Sequence, residues 1–284
     1  MTRARDLSRI ANSNALSVTS ANNVGIGSTI PDEKLDVAGS LLVDGYIGAN
    51  TTNLRFGDAN TGCSLTSGAH NFFAGSSAGC NNTTGSNNNF IGNLAGFANT
   101  TGSDNNFFGV IAGLCNTTGS CNNFLGNSAG RSNTTGCFNN FIGRAAGFCN
   151  TTGTHNNFLG CYSGFANTIG SGNNFLGKSA GECNTTGCYN NFFGISAGFA
   201  NTTGNSNTFI GRCAGRFNTT GNQNNFLGQD AGRFNTTGSY NNFFGRQAGN
   251  YNTSGSYNNF LGAYAGNANT TGGANNFFGI NSDV

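Results

Sequence analysis

The chain has 284 residues, of which 47 are Gly and 26 are Phe, with a single Pro and only 8% charged residues. The many Phe residues argue against disorder, which usually goes with high charge, high Pro content and few aromatic side chains. Collagen is excluded because Gly does not occupy every third position. The formal net charge of +2 gives no reason to expect a nucleic-acid partner.

The first 20 residues differ from the rest of the chain in charge. Arg3, Arg5 and Arg9 lie among Leu7 and Ile10 at near-helical spacing. No apolar run of about 7–15 residues follows, so the sequence shows no secretion signal, and no stretch is long enough to cross a membrane. We therefore expect residues 1–20 to be an attachment segment without membrane insertion. Residues 21–67 alternate short apolar runs with Gly and Asp, which predicts a strand-rich shaft or adaptor.

A seventeen-residue repeat occupies residues 68–284. One copy runs from Asn105 to Cys121, and the next begins at Asn122. A marker Phe recurs every seventeen residues after one step of eighteen, for which Ala74 is taken as the extra residue. The marker positions are Phe72, Phe90, Phe107, Phe124, Phe141, Phe158, Phe175, Phe192, Phe209, Phe226, Phe243, Phe260 and Phe277. This period is typical of stacked coils in which each of the 13 copies contacts mainly its neighbours.

Each copy has the composition of a short strand bounded by turns. Helix is disfavoured because each Gly costs about 1 kcal/mol in a helix, and Asn and Thr also disfavour it. Asn-Asn-Phe-Φ-Gly, where Φ is Phe, Ile or Leu, fits a strand, Ala-Gly fits a corner, and Asn-Thr-Thr-Gly fits a type I turn. We therefore predict an all-β protein, a parallel β-solenoid or β-roll whose coils stack about 4.8 Å apart into a rod about 60 Å long.

A second apolar column follows the marker Phe in every copy. It consists of Phe73, Ile91, Phe108, Leu125, Ile142, Leu159, Leu176, Phe193, Ile210, Leu227, Phe244, Leu261 and Phe278. Adjacent strand residues point to opposite faces, so one column fills the coil and the other faces outward. At about 100 Å² per side chain the outward column would expose more than about 1,000 Å², against about 300–600 Å² for the largest patch on a typical monomer. The pattern therefore predicts that other copies of the chain bury this column.

Two motifs resemble known fibrous proteins. The motif Asn-x-Phe-Ile-Gly-x-x-Ala-Gly resembles the head repeats of trimeric autotransporter adhesins, which form a trimeric parallel β-roll with a shorter period. The Asn-Thr-Thr-Gly repeats, and the run NVGIGSTIPDEKLDVAG at residues 23–39, look like segments of phage tail-fibre proteins. The resemblance implies a parallel homotrimeric fibre. It also implies that residues 1–20 bind other tail or virion proteins.

Groups for catalysis are sparse in the repeats. The carboxylates are Asp104, Glu182, Asp230 and Asp283, and no two of them share a register one copy apart. A glycosidase-like pair would have to form between chains. We therefore predict that the protein is not an enzyme, and we assign no catalytic, cofactor-binding or metal-binding residue.

The ten cysteines contain no C-x-x-C pair, which argues against a zinc ribbon or a redox motif. Cys115, Cys149 and Cys183 share a register but lie two copies apart, about 9.6 Å, which is beyond disulfide reach. We expect small buried thiols in place of Ala or Ser.

The remaining columns raise three further possibilities, which are glycosylation, ice binding and contact with a receptor. Asn-Thr-Thr is a glycosylation sequon as well as a turn, and without a secretion signal the turn is favoured. The Thr columns raise ice binding, although adjacent Thr side chains point in different directions. One register carries an aromatic ladder and another carries an Arg ladder. Either ladder could bind sugars or pack against a neighbouring chain; the aromatic residues are Phe138, His155, Tyr189, Tyr240 and Tyr257, and the Arg residues are Arg216 and Arg233.

The sequence therefore predicts a non-enzymatic fibrous protein of a virion, a tail fibre or similar appendage that contributes to host attachment. Its expected partners are two further copies of itself, other virion proteins and a host surface receptor or glycan. The alternative is a cell-surface or extracellular adhesin or fibril, and an ice-binding solenoid is a more distant one.

Overall fold

The computed structural model describes residues 53–282 and three short strands before them. The chain divides into two compact units, Met1–Asn50 and Thr51–Val284. In the first unit, β1 (Leu16–Val18) pairs antiparallel with β2 (Val24–Ile26), and β2 pairs parallel with β3 (Leu35–Val37). Apart from β1, the expected attachment segment at residues 1–20 lies outside the described residues, as does Asp283.

The second unit is a parallel β-solenoid, as predicted. Its sheet contains fourteen three-residue strands that follow one another in chain order, and residues 53–282 contain no helix. The strands are β4 (Leu54–Phe56), β5 (Phe72–Ala74), β6 (Asn89–Ile91), β7 (Asn106–Phe108), β8 (Asn123–Leu125), β9 (Asn140–Ile142), β10 (Asn157–Leu159), β11 (Asn174–Leu176), β12 (Asn191–Phe193), β13 (Thr208–Ile210), β14 (Asn225–Leu227), β15 (Asn242–Phe244), β16 (Asn259–Leu261) and β17 (Asn276–Phe278).

The sheet begins before residue 68, where the sequence analysis placed the start of the repeat. Strand β4 lies within residues 21–67 and pairs with β5, so a coil precedes the expected start at residue 68. Hydrogen bonds join successive coils around the rest of the circumference as well. The amides of Gly113, Cys115 and Thr117 donate to carbonyls of the following coil at 2.9–3.0 Å. Little backbone polarity is therefore left unpaired along the rod.

The register of the first repeat corrects the expectation that Phe72 belongs to the marker column. Phe73 pairs with Phe90, and Phe72 pairs with Asn89, so the spacing is already seventeen here and Ala74 is not an extra residue. The eighteen-residue step lies one coil earlier, where Arg55 pairs with Phe73. The alignment follows from Asn71, whose Oδ1 accepts a 2.9 Å hydrogen bond from the Asn88 amide. This bond places Asn71 beside Asn88 and leaves Phe73 in the coil interior.

The interior of the rod is a stack of Phe rings. Twelve Phe residues from Phe73 to Phe260 are fully buried, and their neighbouring centroids lie 4.7–5.2 Å apart in nearly parallel planes. One buried Ala per coil, such as Ala112, packs beside each ring, with Ser163 in its place in one coil. Burying each ring contributes about 2–3 kcal/mol by apolar transfer, so the Phe stack is the main apolar core.

Two columns of buried Asn complete the interior. The backbone N–H of Asn105 donates to Asn88 Oδ1 at 3.1 Å, and its side-chain Nδ2 donates to Gly119 O at 2.9 Å. Asn116 donates from Nδ2 to Asn99 Oδ1 at 2.7 Å and to Gly119 O at 2.9 Å. Each buried amide is therefore satisfied by its own coil and the preceding one, which avoids the cost of burying an unpaired polar group.

Candidate interaction surface

The outer face of the sheet carries two parallel columns. The first, called the apolar ladder below, consists of Ile91, Phe108, Leu125, Ile142, Leu159, Leu176, Phe193, Ile210, Leu227, Phe244, Leu261 and Phe278. Each side chain points away from the Phe stack because it directly follows a buried Phe on the strand. The structure therefore assigns the marker Phe to the interior and the following residue to the surface.

The second column is the outer Asn ladder, two residues before the apolar ladder on each strand. Asn106 Nδ2 donates to Asn123 Oδ1 at 2.7 Å, and the same bond recurs along most of the rod. Thr208 interrupts the ladder once. These bonds hold the half-buried amides in one orientation, so the outer face is ordered and presents few free polar groups.

The apolar ladder remains partly exposed along the rod. From Phe108 to Leu261 its exposed members show 36–42% of their surface. At about 200 Å² for each large side chain, the eight exposed members leave roughly 600 Å² of apolar surface. That is less than the sequence suggested because the neighbouring coils cover the sides of each residue. It lies at the upper end of the range of about 300–600 Å² for the largest patch on a typical monomer.

An aromatic column lies at a corner of the coil, in the register predicted for it. Phe138 and His155 stack with centroids 4.9 Å apart, as do Tyr240 and Tyr257, and Tyr189 is 69% exposed. These residues have left-handed backbone with φ of 57–61°, which side chains other than Gly adopt infrequently. The sequence did not indicate this conformation. It turns the rings outward, and the rings of adjacent coils stack on each other.

The Arg column packs on Phe rings of the neighbouring column. The guanidinium of Arg216 lies 5.2 Å from the Phe217 centroid, and that of Arg233 lies 5.2 Å from Phe234. Asp230 is buried beside them, with Oδ1 at 3.6 Å from Arg233 Nη1 and Oδ2 at 3.9 Å from Arg212 Nη2. Packing of Arg on aromatic faces stabilises the coil surface. The structure therefore shows packing of this column within the chain, which differs from both alternatives that the sequence suggested, contact with sugars and packing against a neighbouring chain.

The sequon asparagines are part of the interior. Asn116, Asn133 and Asn150, like most of the set, are fully buried and use Nδ2 in two hydrogen bonds each. One of the two Thr columns is also engaged, since Thr117 Oγ1 donates to Thr134 O at 3.1 Å. Only the second Thr column, which contains Thr118, is exposed. The motif thus has a structural role in each turn.

The carboxylates of the repeats do not converge. Asp104 accepts a 3.1 Å bond from Asn87 Nδ2, Glu182 lies in the Arg column, and Asp230 is buried. Within residues 53–282, no three His, Cys, Asp or Glu side chains lie close enough together to hold a metal ion. The described part of the chain also has no helix long and apolar enough to cross a membrane.

The prediction that the cysteines are buried is wrong for most of them. Cys213 alone among the ten is buried, Cys63 is exposed and the others are partly exposed, because their columns lie on the outer surface of the coil. Sequence reasoning also missed one pair. Cys63 and Cys80 are seventeen residues apart, and their Sγ atoms lie 3.1 Å from each other. The spacing was a usable signal, but it became visible only once the first coil was known to precede residue 68.

Comparisons of the chain with protein-family models, with curated proteins and with solved structures found no match.

Proposed function

We propose that this protein is a non-enzymatic structural component of a virion fibre, a tail fibre or similar appendage that contributes to host attachment. The observation that carries the proposal is the apolar ladder, which runs from Ile91 to Phe278 along a regularly hydrogen-bonded rod. A surface of this length and regularity suits side-by-side assembly into a fibre. The tail-fibre resemblance of residues 23–39 and of the repeats indicates which kind of fibre.

The assembly that fits best is a parallel homotrimer. In a closed ring each copy buries its apolar ladder against a neighbour, whereas an open array leaves unsatisfied ends. Each coil contributes one ladder residue at the equivalent position. When chains lie parallel and in register, every ladder residue therefore faces its equivalent in the neighbouring chain along the whole rod. The number three comes from the resemblance to trimeric β-rolls.

Substitutions in the ladder test this assembly directly. In a variant carrying Ile142→Asp, Leu159→Asp and Leu176→Asp, three carboxylates per chain would be buried at the interface without partners, which costs several kcal/mol. We expect sedimentation equilibrium to give a trimer for the unchanged chain and a monomer or misassembled species for the variant. The matched control is Thr135→Asp, Thr152→Asp and Thr186→Asp, which adds the same charges at exposed turn positions. The trimer should survive in this control, and a monomeric unchanged chain would refute the assembly.

The location and role need a separate experiment. Antibodies raised against residues 68–284 and labelled with gold should decorate an appendage of virus particles in electron micrographs. The purified chain should also compete with those particles for adsorption to host cells. Labelling of a cell surface without particles would favour the adhesin alternative. Hydrolysis of host polysaccharide by the purified chain would overturn the non-enzymatic assignment.

A further inference from the structure

We propose that Cys63 and Cys80 form a covalent modification site, at which oxidation joins the first coil of the rod to the second by a disulfide. The two Sγ atoms are 3.1 Å apart, so a shift of about 1 Å brings them to the S–S bond length. The amide of Ser64, next to Cys63, donates to the Cys80 carbonyl at 3.1 Å. Positions paired between adjacent coils have Cα atoms about 4.8 Å apart, within the disulfide range.

The position of the pair gives the bond a structural consequence. Strand β4 is an edge strand of the described sheet, and all three of its residues are exposed. Arg55 replaces Phe in the interior column and donates to Gly62 O at 3.1 Å. The first coil is therefore held by polar contacts, whereas an interior coil has a Phe ring stacked between two others. If the first coil opened, Phe73 would be exposed to solvent. A covalent link at Cys63 opposes this local opening.

The environment of the two thiols sets the order of the reaction. The hydrogen bond with Cys80, and then that with Ser64, lower the pKa of the Cys63 thiol, while burial raises the pKa of Cys80 to about 11. Cys63 is therefore the thiolate that attacks first. The oxidant is a small-molecule disulfide such as oxidised glutathione.

The exchange balances in two steps. Cys63 Sγ attacks one sulfur of the small disulfide, forms a mixed disulfide and releases one small thiolate. Cys80 then loses its proton and attacks Cys63 Sγ, which forms the intramolecular bond and releases the second thiolate. The two cysteines are oxidised, the small disulfide is reduced to two thiols, and the two protons pass to the released thiolates.

Thiol mapping of the full chain tests the bond. The protein is incubated with oxidised glutathione, its remaining thiols are alkylated, and chymotryptic peptides are analysed by mass spectrometry without reduction. We expect a cross-linked peptide pair that contains Cys63 and Cys80. Cys149 and Cys183, which share a column two coils apart, serve as the internal control and should stay alkylated. Alkylation of Cys63 and Cys80 after oxidation, or a glutathione adduct alone, would overturn the proposal.

Hydrogen exchange tests the consequence. Oxidation should slow exchange of the Gly62 and Ser64 amides, which donate to the second coil, by about 100-fold, as expected when a loop of this size is closed. The effect should vanish in Cys63→Ser and persist in Cys183→Ser. Exchange that is unchanged by a disulfide confirmed by mass spectrometry would show that the bond does not secure the first coil.

Discussion

At the scale of the residue, the buried Asn columns have a structural role that the sequence motif does not reveal. Asn116 has no exposed surface, and its Nδ2 faces two acceptor oxygens, those of Asn99 and Gly119. Only a side chain that donates two hydrogen bonds and accepts another fits this place. Each Asn also fixes the position of its equivalents in the adjoining coils, so one amide determines both a turn and the register between coils.

Replacing one side-chain amide of this column by a carboxyl group should therefore reduce the stability of the fold. Asn116→Asp replaces the donor by an acceptor, so we expect a loss of about 3 kcal/mol in the free energy of unfolding at neutral pH. Burial raises the pKa of the new carboxyl above its unfolded value, so stability should be greatest in acid and fall as pH rises above about 4. Chemical denaturation at pH 4 and pH 7 measures this. Asn106→Asp, on the half-buried outer ladder, is the control and should lose less; equal losses would contradict the role of the interior amides.

Adjacent residues on one strand allow a second comparison. Phe158 is fully buried in the Phe stack, whereas Leu159 is 37% exposed. Phe158→Ala should cost about 3–5 kcal/mol because it opens a cavity between two rings. Leu159→Ala should cost less within the chain, and its effect should depend on protein concentration because it acts on the proposed association. Denaturation curves at two protein concentrations separate these effects, and a larger loss for Leu159→Ala would reverse the assignment of the two columns.

At the scale of the element, each coil is defined by close approaches of the backbone. Gly160 has φ of 140°, and a Cβ there would lie 2.5 Å from the Gly177 carbonyl oxygen. Gly172 also has positive φ, 68°, but a Cβ there would meet only the ring of Tyr189, and its column carries non-Gly residues in other coils. We expect Gly160→Ala to cost about 2–4 kcal/mol and Gly172→Asn less than about 1 kcal/mol. Thermal unfolding of the two variants makes the comparison, and similar losses would show that the carbonyl contact is unimportant.

The same elements show how far sequence reasoning reaches. The period, the strand and the corner follow from a pattern that repeats without drift, so the solenoid was predictable. The pattern left the direction of the two apolar columns open, because Phe at one position and Phe, Ile or Leu at the next are both suited to burial. The pair Phe72 and Phe73 then misplaced the first register, although the spacing of seventeen residues from Asn71 to Asn88 and from Gly75 to Gly92 already places Phe73 in the Phe90 column. The left-handed columns carry side chains as bulky as Ile111, which give no turn signal.

At the scale of the whole molecule, the rod is a one-dimensional stack. Each strand from β5 to β16 pairs with the strands before and after it, and the Phe stack and Asn columns also connect neighbouring coils. Stability in such a stack is approximately a sum of coil and interface contributions. Interior coils are therefore interchangeable, provided that the seventeen-residue register is kept on both sides of any change.

Internal deletions test this property of the stack. Removal of residues 139–155, one complete coil, joins Phe138 to Asn156 and restores every column, so the shortened rod should fold and lose only one coil and one interface. Removal of residues 139–154 shifts all downstream residues by one position. Asn157 would then take the interior place of Phe141, Phe158 would face outward, and the buried Asn columns would lose their partners across the junction. Circular dichroism and limited proteolysis should find a rod in the first case and a chain cleaved at the junction in the second. Equal resistance of both variants would mean that the Phe stack and the buried Asn columns do not hold the coils in register.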